Sequence, residues 1–436
     1  MTAVDRMAEE VVRVGLLGCG HVGAPLARLV AEHRDIIEAR AGVRVEITRV
    51  AVRNLALERD VPLPASCFTH DAAAVVADPD VDVVVELIGG IEPARTLVTD
   101  ALKVGKPVVT ANKELLANVG KELFETAEGS GVDLLFEASV GGGIPLIRPL
   151  RESLAGDRIR RVMGIVNGTT NYILTRMTED GSSFHDALAE AQTLGYAERD
   201  PTADVEGFDA AAKAAIMASV AFGARVVAGD VYREGIAQIT ADDIASAADL
   251  GYVVKLLAIA DEIDGAIAVR VHPAMVPRHH PLAAVRDSFN ALFIEADAVG
   301  ELMLYGRGAG GMPSASAVLG DLVDAAKTLV AGGRGATIGP LVRRTVRPID
   351  EVESQFYLLM EVADRPGVLA QIATEFARHG VSITSMQQRG IGVDARLIFV
   401  THTAREGALR ATVHALRDVE PVHRVGSVLR VIGDEP

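Results

Sequence analysis

Apolar residues fall along the chain in two regimes. Over residues 11–139 short β-branched runs alternate with amphipathic stretches, and Val11–Leu17, Val45–Val52, Val81–Ile88, Pro107–Ala111 and Val132–Ser139 read as strands. Strands alternating with helical patterns predict a parallel, doubly wound α/β sheet. From about 145 to 305 the pattern lengthens, with helical periodicity over 169–178, 183–194, 208–223 and 241–250 among longer amphipathic strands, which predicts an α+β domain. The glycine-rich Gly306–Gly311 feeds a helical run from about Pro313 to Val330, and a further β-α-β pattern occupies 355–432. The Arg-rich Val342–Arg347 leads into a linker near 346–354, so the expected division is 1–144, 145–305, a return segment 306–345 and a C-terminal module 346–436.

Composition narrows the class without changing that picture. A chain of 436 residues exceeds what one core serves, and 49% apolar with 23% charged residues describes an ordinary globular protein. The formal charge of −16 is spread along the chain, which disfavours nucleic acid and anionic membranes as partners. Two cysteines, Cys19 and Cys67, cannot make a disulfide framework, and no Cys/His spacing suggests a metal set. No apolar run reaches membrane-spanning length and the first ten residues lack an apolar leader core, so a cytoplasmic protein is expected.

The first chemistry is a glycine motif, Gly18-Cys19-Gly20-His21-Val22-Gly23, placed between the strand Val11–Leu17 and a helix. There Gly18 allows the tight turn, Gly20 lets the backbone approach a pyrophosphate and Gly23 permits close helix–strand packing. The helix N-terminus adds N–H donors and a positive dipole end for the anion. A dinucleotide is the expected cofactor. After the second strand, where an acid would receive the ribose hydroxyls of NAD, stands Arg53, which suits the 2′-phosphate of NADP; an exposed surface arginine is the plainer reading. Thr110-Ala111-Asn112-Lys113 sits at a strand end, where Lys113 either faces the crevice or begins a helix as a solvated residue.

The second chemistry is a charge pair in an apolar helix. The stretch Phe208–Gly223 reads FDAAAKAAIMASVAFG, and Asp209 and Lys213 lie four apart, on one face. On a surface helix they would be an ordinary ion pair, but the Ala, Ile, Met and Val around them predict burial, where ionisable groups mark sites. Upstream, Gly195-Tyr196-Ala197-Glu198-Arg199-Asp200-Pro201, then Asp204 and Glu206, form an acidic loop suited to an ammonium group while the lysine serves a carbonyl or hydroxyl oxygen. Solvated loop acids are the alternative for Asp200 and Glu206.

On these segments the chain resembles the homoserine dehydrogenases. The matching stretches are GLLGCGHVG at 15–23, TANK at 110–113, FEASVGGGIP at 136–145, NGTTNYIL at 167–174, GYAERDPTADVEGFDAAAK at 195–213 and GRGAGGMPSASAVLGDL at 306–322. They follow the family's order over most of 11–330, with Arg199-Asp200-Pro201 departing from the more frequent Pro-Asp-Pro. The resemblance implies NAD(P)-dependent interconversion of L-homoserine and L-aspartate 4-semialdehyde, on the route to threonine, methionine and isoleucine. It implies Lys213 as proton donor to the aldehyde oxygen, Glu198 and Asp209 as substrate-binding acids with Glu198 also near the cofactor, and Asp204 beside them. Lys113, Gly195 and Gly310 match cofactor-contacting positions, with His21 and Val22 inside the glycine loop. Asn167, Thr169 and Thr170 resemble substrate-pocket or nicotinamide-side residues, and helix-cap duty explains them equally well. The loop Glu137–Ile144 resembles the family's monovalent-cation site, with the Glu137 carboxylate and the backbone oxygens of Val140, Gly142 and Ile144 suited to Na⁺. A glycine-rich hinge is its plain alternative.

Residues 355–362 alternate as a strand, followed by Asp364–Leu369, an amphipathic helix to His379, Gly380 and a strand around Val381–Gln387. This resembles the ACT domain, a ferredoxin-like βαββαβ regulatory fold, and implies an amino-acid effector, with L-threonine leading, in a homo-oligomer, dimer or tetramer. A dimerisation appendage without ligand is the alternative. Two other functions are set apart by named segments. An aspartate dehydrogenase should lack NGTTN and the acidic loop with its Asp-Lys helix, and an inactive amino-acid sensor should have lost Glu198, Asp209 or Lys213.

Overall fold

In the computed structural model residues 10–390 and 395–433 are described. The chain divides into two compact units. One runs to Val162 and adds Ala212–Asp230 and Asn290–Arg344; the other comprises Met163–Ala211, Val231–Phe289 and the chain from Thr345 onward.

The first unit is built on β1 (Val11–Leu17), β2 (Arg44–Ala51), β3 (Phe68–Thr69), β4 (Val83–Glu86), β5 (Val108–Thr110) and β6 (Leu134–Leu135). They lie in the order β3-β2-β1-β4-β5-β6, every pairing parallel. Val12, Val14, Leu16, Val83 and Val85 are buried in its core, as continuous β-branched runs require when helices cover both faces. The order reverses between β1 and β4, and at such a switch point a crevice opens beyond the carboxyl ends of the strands. This is the Rossmann arrangement that the alternation predicts. The helix Gly311–Val330 packs Ala315, Val318, Leu322 and Ala325 into the same core.

Two expected strands end early, each because a carboxylate turns the chain. Val132–Ser139 pairs only over Leu134–Leu135 and then forms the 3-10 turn Glu137–Ser139. The Glu137 carboxylate there accepts the N–H groups of Leu146, Ile147 and Arg148 at 2.5, 2.7 and 2.9 Å. Val81–Ile88 is a ladder only over Val83–Glu86, since the buried Glu86 carboxylate accepts the N–H groups of Ile88 and Gly89 at 2.7 and 3.1 Å.

Further along come β7 (Ile159–Ile165), β8 (Tyr232–Arg233), β9 (Tyr252–Ile263), β10 (Ala266–Pro277), β11 (Phe289–Ala296) and β12 (Gly300–Arg307). The C-terminal strands are β13 (Glu353–Val362), β14 (Ile383–Arg389), β15 (Arg396–Thr401), β16 (Ala404–Arg405) and β17 (Val422–Val431). In the second unit β9 and β10 form an antiparallel hairpin. Strands β17-β13-β15-β14 form an antiparallel sheet, and with the helices Val368–Arg378 and Glu406–Arg417 the chain order is βαββαβ. Phe356, Leu358, Ile372, Phe376 and Leu409 fill this module's core. Its last strand also pairs in parallel with β10, Ala274 opposite Arg430 and Met275 opposite Val431, so the module is hydrogen-bonded into the unit.

Candidate active site

β1 delivers the chain into the glycine loop, and the helix Gly23–Glu32 begins at its third glycine. Gly18 sits at φ +100, and a Cβ there would meet the Leu87 carbonyl oxygen at 2.6 Å. A Cβ on Gly23 would stand 2.2 Å from the Gly18 oxygen, whereas Gly20 has nothing within 4 Å and is exposed. The loop is therefore closed by protein on two sides and open at Gly20, where a pyrophosphate needs access. Val22 is half-buried and His21 exposed. A Cβ on Gly311 would lie 2.4 Å from the His21 oxygen, so the N-terminus of the Gly311–Val330 helix abuts the same loop, preceded by Gly310 at φ +119. Two helix N-termini thus favour an anion at one place.

Arg53 is exposed just past β2. Arg59, which carries no signal in the sequence, donates to the carbonyls of Cys19 at 3.2 Å, Leu57 at 2.7 Å and Asn54 at 2.9 Å, tying the Arg53 turn to the glycine loop. Burial pushes the Cys19 thiol pKa up although Arg59 and Arg28 oppose it, so Cys19 is a packing residue. Beside the loop, the Thr110 hydroxyl donates to Glu86 at 2.6 Å and joins the ends of β5 and β4. Asn112 caps the helix Lys113–Ser130 through the Leu115 N–H and donates to the Gly90 carbonyl at 2.7 Å. Lys113 is thereby the first helical residue, exposed at the strand end where it was expected.

In the second unit one amide gathers the acids. Asn167 caps the helix Gly168–Asp180, its Oδ1 accepting the Thr170 N–H at 2.9 Å. Its Nδ2 donates to Asp204 Oδ1 at 2.7 Å and to Asp209 Oδ2 at 2.9 Å. Asp204 comes from the short helix Thr202–Val205 and Asp209 from the first turn of Phe208–Phe222, with Lys213 one turn further on. Asp209 and Lys213 are each only 8% exposed, so the pair is buried as its apolar surroundings predict. The Thr169 hydroxyl donates to the Tyr196 carbonyl at 2.7 Å, and the Tyr172 and Tyr196 rings pack tilted with centroids 4.9 Å apart, holding the loop that carries Gly195 and Glu198. Gly195, at φ +78, and Glu198 are exposed, and the Glu198 carbonyl accepts from Gln192 at 3.0 Å. Asn167, Asp204 and Asp209 are joined by hydrogen bonds, while Glu198 stands on the neighbouring loop.

The second asparagine of NGTTN does different work. Asn171 Nδ2 donates to the carbonyls of Val285, Asp287 and Phe289 at 3.3, 2.9 and 3.2 Å. Its Oδ1 accepts from Lys255 at 3.0 Å, a buried lysine whose pKa burial pulls down to about 8. Both anchor the helix that presents Asn167, and no spacing in the sequence connects them.

The loop expected to hold a cation is braced by its own hydrogen bonds. Glu137 already receives three backbone N–H groups, and its own N–H donates to Asp321 Oδ2 at 2.7 Å. Asp321 also pairs with Arg148 at 2.9 Å, and burial together with the neighbouring Glu137 charge holds its carboxyl up at about 7. The Glu137 carboxylate thus joins the turn at 137–139 to the backbone of 146–148. Val140, Gly142 and Ile144 are all buried in the loop that follows, Gly142 at φ +57 with its Cβ position 2.3 Å from the Gly308 oxygen.

An anion-ready loop at the switch point of a parallel sheet defines a dinucleotide-binding protein. Comparison with known proteins narrows the class. The model of the homoserine dehydrogenase NAD-binding domain matches residues 18–137, that of homoserine dehydrogenase 145–323 and that of the ACT domain 356–421. Homoserine dehydrogenase of Mycobacterium tuberculosis (strain ATCC 25618 / H37Rv) is 50% identical over 98% of this chain and 98% of its own. That of Corynebacterium glutamicum is also 50% identical, over 97% of this chain and 96% of its own. The crystal structure of a homoserine dehydrogenase from Thiobacillus denitrificans superposes with TM-score 0.91 at 41% identity, covering 97% of this chain and 98% of that one. A hyperthermophilic archaeal homoserine dehydrogenase in complex with NADPH has TM-score 0.62 at 30% identity over 72% of this chain and 97% of that one. The chain belongs to the homoserine dehydrogenase family, with a C-terminal ACT domain. It is an NAD(P)-dependent oxidoreductase that interconverts L-homoserine and L-aspartate 4-semialdehyde. Among the described residues no helix is long and apolar enough to cross a membrane.

Proposed function

We propose that Asp204 and Asp209, with Glu198 from the adjacent loop, hold the substrate ammonium group, and that Lys213 exchanges a proton with the oxygen on the reacting carbon. The observation that carries this reading is the single Asn167 amide bonded to both acids one turn from Lys213. The bound nicotinamide supplies the hydride. As the aldehyde carbon receives it, the C=O electron pair moves to oxygen and the Lys213 ammonium gives that oxygen a proton. Thr169 keeps the Glu198 loop in place through Tyr196. Lys213→Ala should lose on the order of 10²–10⁴ in kcat while NADPH still binds. Nucleotide fluorescence reads that binding cleanly because the chain has 0 Trp. Near-normal kcat would remove Lys213 from the chemistry.

NADP is the cofactor we favour, with NAD the alternative: Gly18, Gly20 and Gly23 would hold its pyrophosphate and Arg53 its 2′-phosphate. Lys113, Gly195, Glu198 and Gly310 are the further residues we assign to cofactor contact. Arg53→Asp should turn the NADP/NAD ratio of kcat/KM toward NAD, and an unchanged ratio rejects the assignment. A monovalent cation, Na⁺ by preference, would be held by the Glu137 carboxylate and the backbone oxygens of Val140, Gly142 and Ile144; equal kcat in NaCl and choline chloride would dismiss it. The ACT domain takes an amino-acid effector, L-threonine first, at the exposed turn Asp364–Leu369, where Gly367 at φ +91 opens the helix Val368–Arg378. Gly367→Val should abolish threonine inhibition with uninhibited kcat retained; full inhibition in that variant would exclude the turn. We place the enzyme in the cytoplasm, in keeping with the free thiols of Cys19 and Cys67, as a dimer or tetramer that light scattering would size.

A further inference from the structure

At the end of β17, Arg430 is buried, its side chain 5% exposed, between two carboxylates. Its Nη1 and Nη2 reach Glu234 at 2.8 and 2.8 Å, and its Nε and Nη2 reach Glu406 at 3.0 and 2.6 Å. Glu406 begins the second helix of the ACT domain. Glu234 lies just after β8, on a segment that presses against the turn between Asp204 and Asp209.

That contact is backbone on backbone. The Ile236 N–H donates to the Val205 carbonyl at 2.8 Å, and a Cβ on Gly235 would meet the Val205 oxygen at 2.2 Å and the Glu206 Cα at 2.6 Å. The Arg233 guanidinium donates to the Glu206 carbonyl at 3.2 Å, and the Cβ position of Gly207 faces the Glu234 oxygen at 3.4 Å. Neither segment has side-chain slack to absorb a displacement of the other. The Glu234 side chain is 36% exposed, so removing Arg430 strands no buried charge there; it deletes the two-point tie that fixes this segment to β17.

We propose that Arg430 is a positioning residue for substrate binding: by fixing Glu234 it sets the Val205–Gly207 turn from which Asp204 and Asp209 reach the substrate. The inference rests on the reading of those acids as the ammonium site. It makes the ACT domain part of the substrate-binding apparatus, through one side chain, whatever its effector.

The test uses the full chain in steady-state homoserine oxidation. Arg430→Met should raise the homoserine KM roughly 5–150-fold, the range of typical couplings between sites, and leave the NADP KM unchanged. Arg430→Lys should recover part of the loss. Arg424→Met, on the same strand but paired at 2.9 Å with Glu361 in an exposed bridge, should change neither. Hydrogen exchange over residues 198–210 should quicken in Arg430→Met and not in Arg424→Met. A folded Arg430→Met with an unchanged homoserine KM, or with both KM values raised alike, overturns the proposal. Where that variant does not fold, Glu234→Gln carries the test, and an unchanged homoserine KM there overturns it equally. Asp204→Asn separates the two failures. If it binds homoserine normally the acid-site reading falls; if it is impaired while Arg430→Met is normal, only this inference falls.

Discussion

Asn167 does two jobs with one side chain, and a pair of substitutions separates them. Asn167→Ser keeps an oxygen able to cap the Gly168–Asp180 helix but deletes the amide that bridges Asp204 and Asp209 at 2.7 and 2.9 Å. Asn167→Ala deletes both. Loss of an N-cap costs about 1 kcal/mol, so the alanine variant should melt below the serine variant by that increment. Hydrogen bonds to charged groups contribute about 1.5–3 kcal/mol each, and both variants lose two. If one bond's worth passes to substrate binding, the homoserine KM rises about 10- to 150-fold in both variants, at 1.4 kcal/mol per tenfold. The NADP KM should stay put, because the Asn167 side chain is engaged with Thr170, Asp204 and Asp209. Steady-state kinetics by NADPH absorbance and thermal melts of the three proteins supply every number needed. A serine variant whose homoserine KM lies within twofold of wild type would reduce Asn167 to a helix cap and remove the support for a gathered acid site.

Other perturbations test the scaffold. Gly20→Ala should fold normally, since nothing lies within 4 Å of the new Cβ, yet raise the NADP KM, whereas Gly23→Ala should lower stability by about 1–3 kcal/mol through the Gly18 oxygen 2.2 Å away; equal melting of the two would refute the close-packing argument. Lys255, held near 8 by burial, is charged in both folded and unfolded states below that pH. Between pH 8 and 10.5 the unfolded chain binds a proton that the native one does not, so native stability relative to Lys255→Met should rise by about 1.4 kcal/mol per unit, to roughly 3 kcal/mol. Urea midpoints of both proteins across that window would show it, and a flat difference means the native lysine stays charged.

Much of the first unit was legible because its signals are local. β1 occupies Val11–Leu17 as predicted, since seven apolar-rich residues before a glycine leave few other options, and Gly23 begins the helix for a steric reason the motif encodes. The Phe208–Phe222 helix was legible from two charges in an alanine-rich run. What escaped were side chains whose partners are remote in sequence. Nothing around Glu137 in the sequence points to the N–H groups of 146–148 that its carboxylate accepts; Arg59 reads as a loop arginine, yet it braces Cys19, forty residues away. Asn167 shows the limit from the other side: its capping role is written in NGTT, but its bonds to Asp204 and Asp209 exist only once three segments are folded together.

The C-terminal module shows why a domain boundary drawn from pattern can mislead an experiment. Residues 355–432 carry a complete βαββαβ alternation, which invites excision near residue 350 as a test of regulation. Yet β17 pairs with β10 at Ala274 and Met275, and Arg430 lies within the carboxylates of Glu234 and Glu406. Cutting there would uncover part of the β10 edge and take away the guanidinium that ties Glu234 to β17 by two hydrogen bonds. An inactive truncated enzyme would then report the missing arginine and not the missing effector. Substitutions at the Asp364–Leu369 turn leave β17 intact, so they alone separate what the ACT domain senses from what it holds in place.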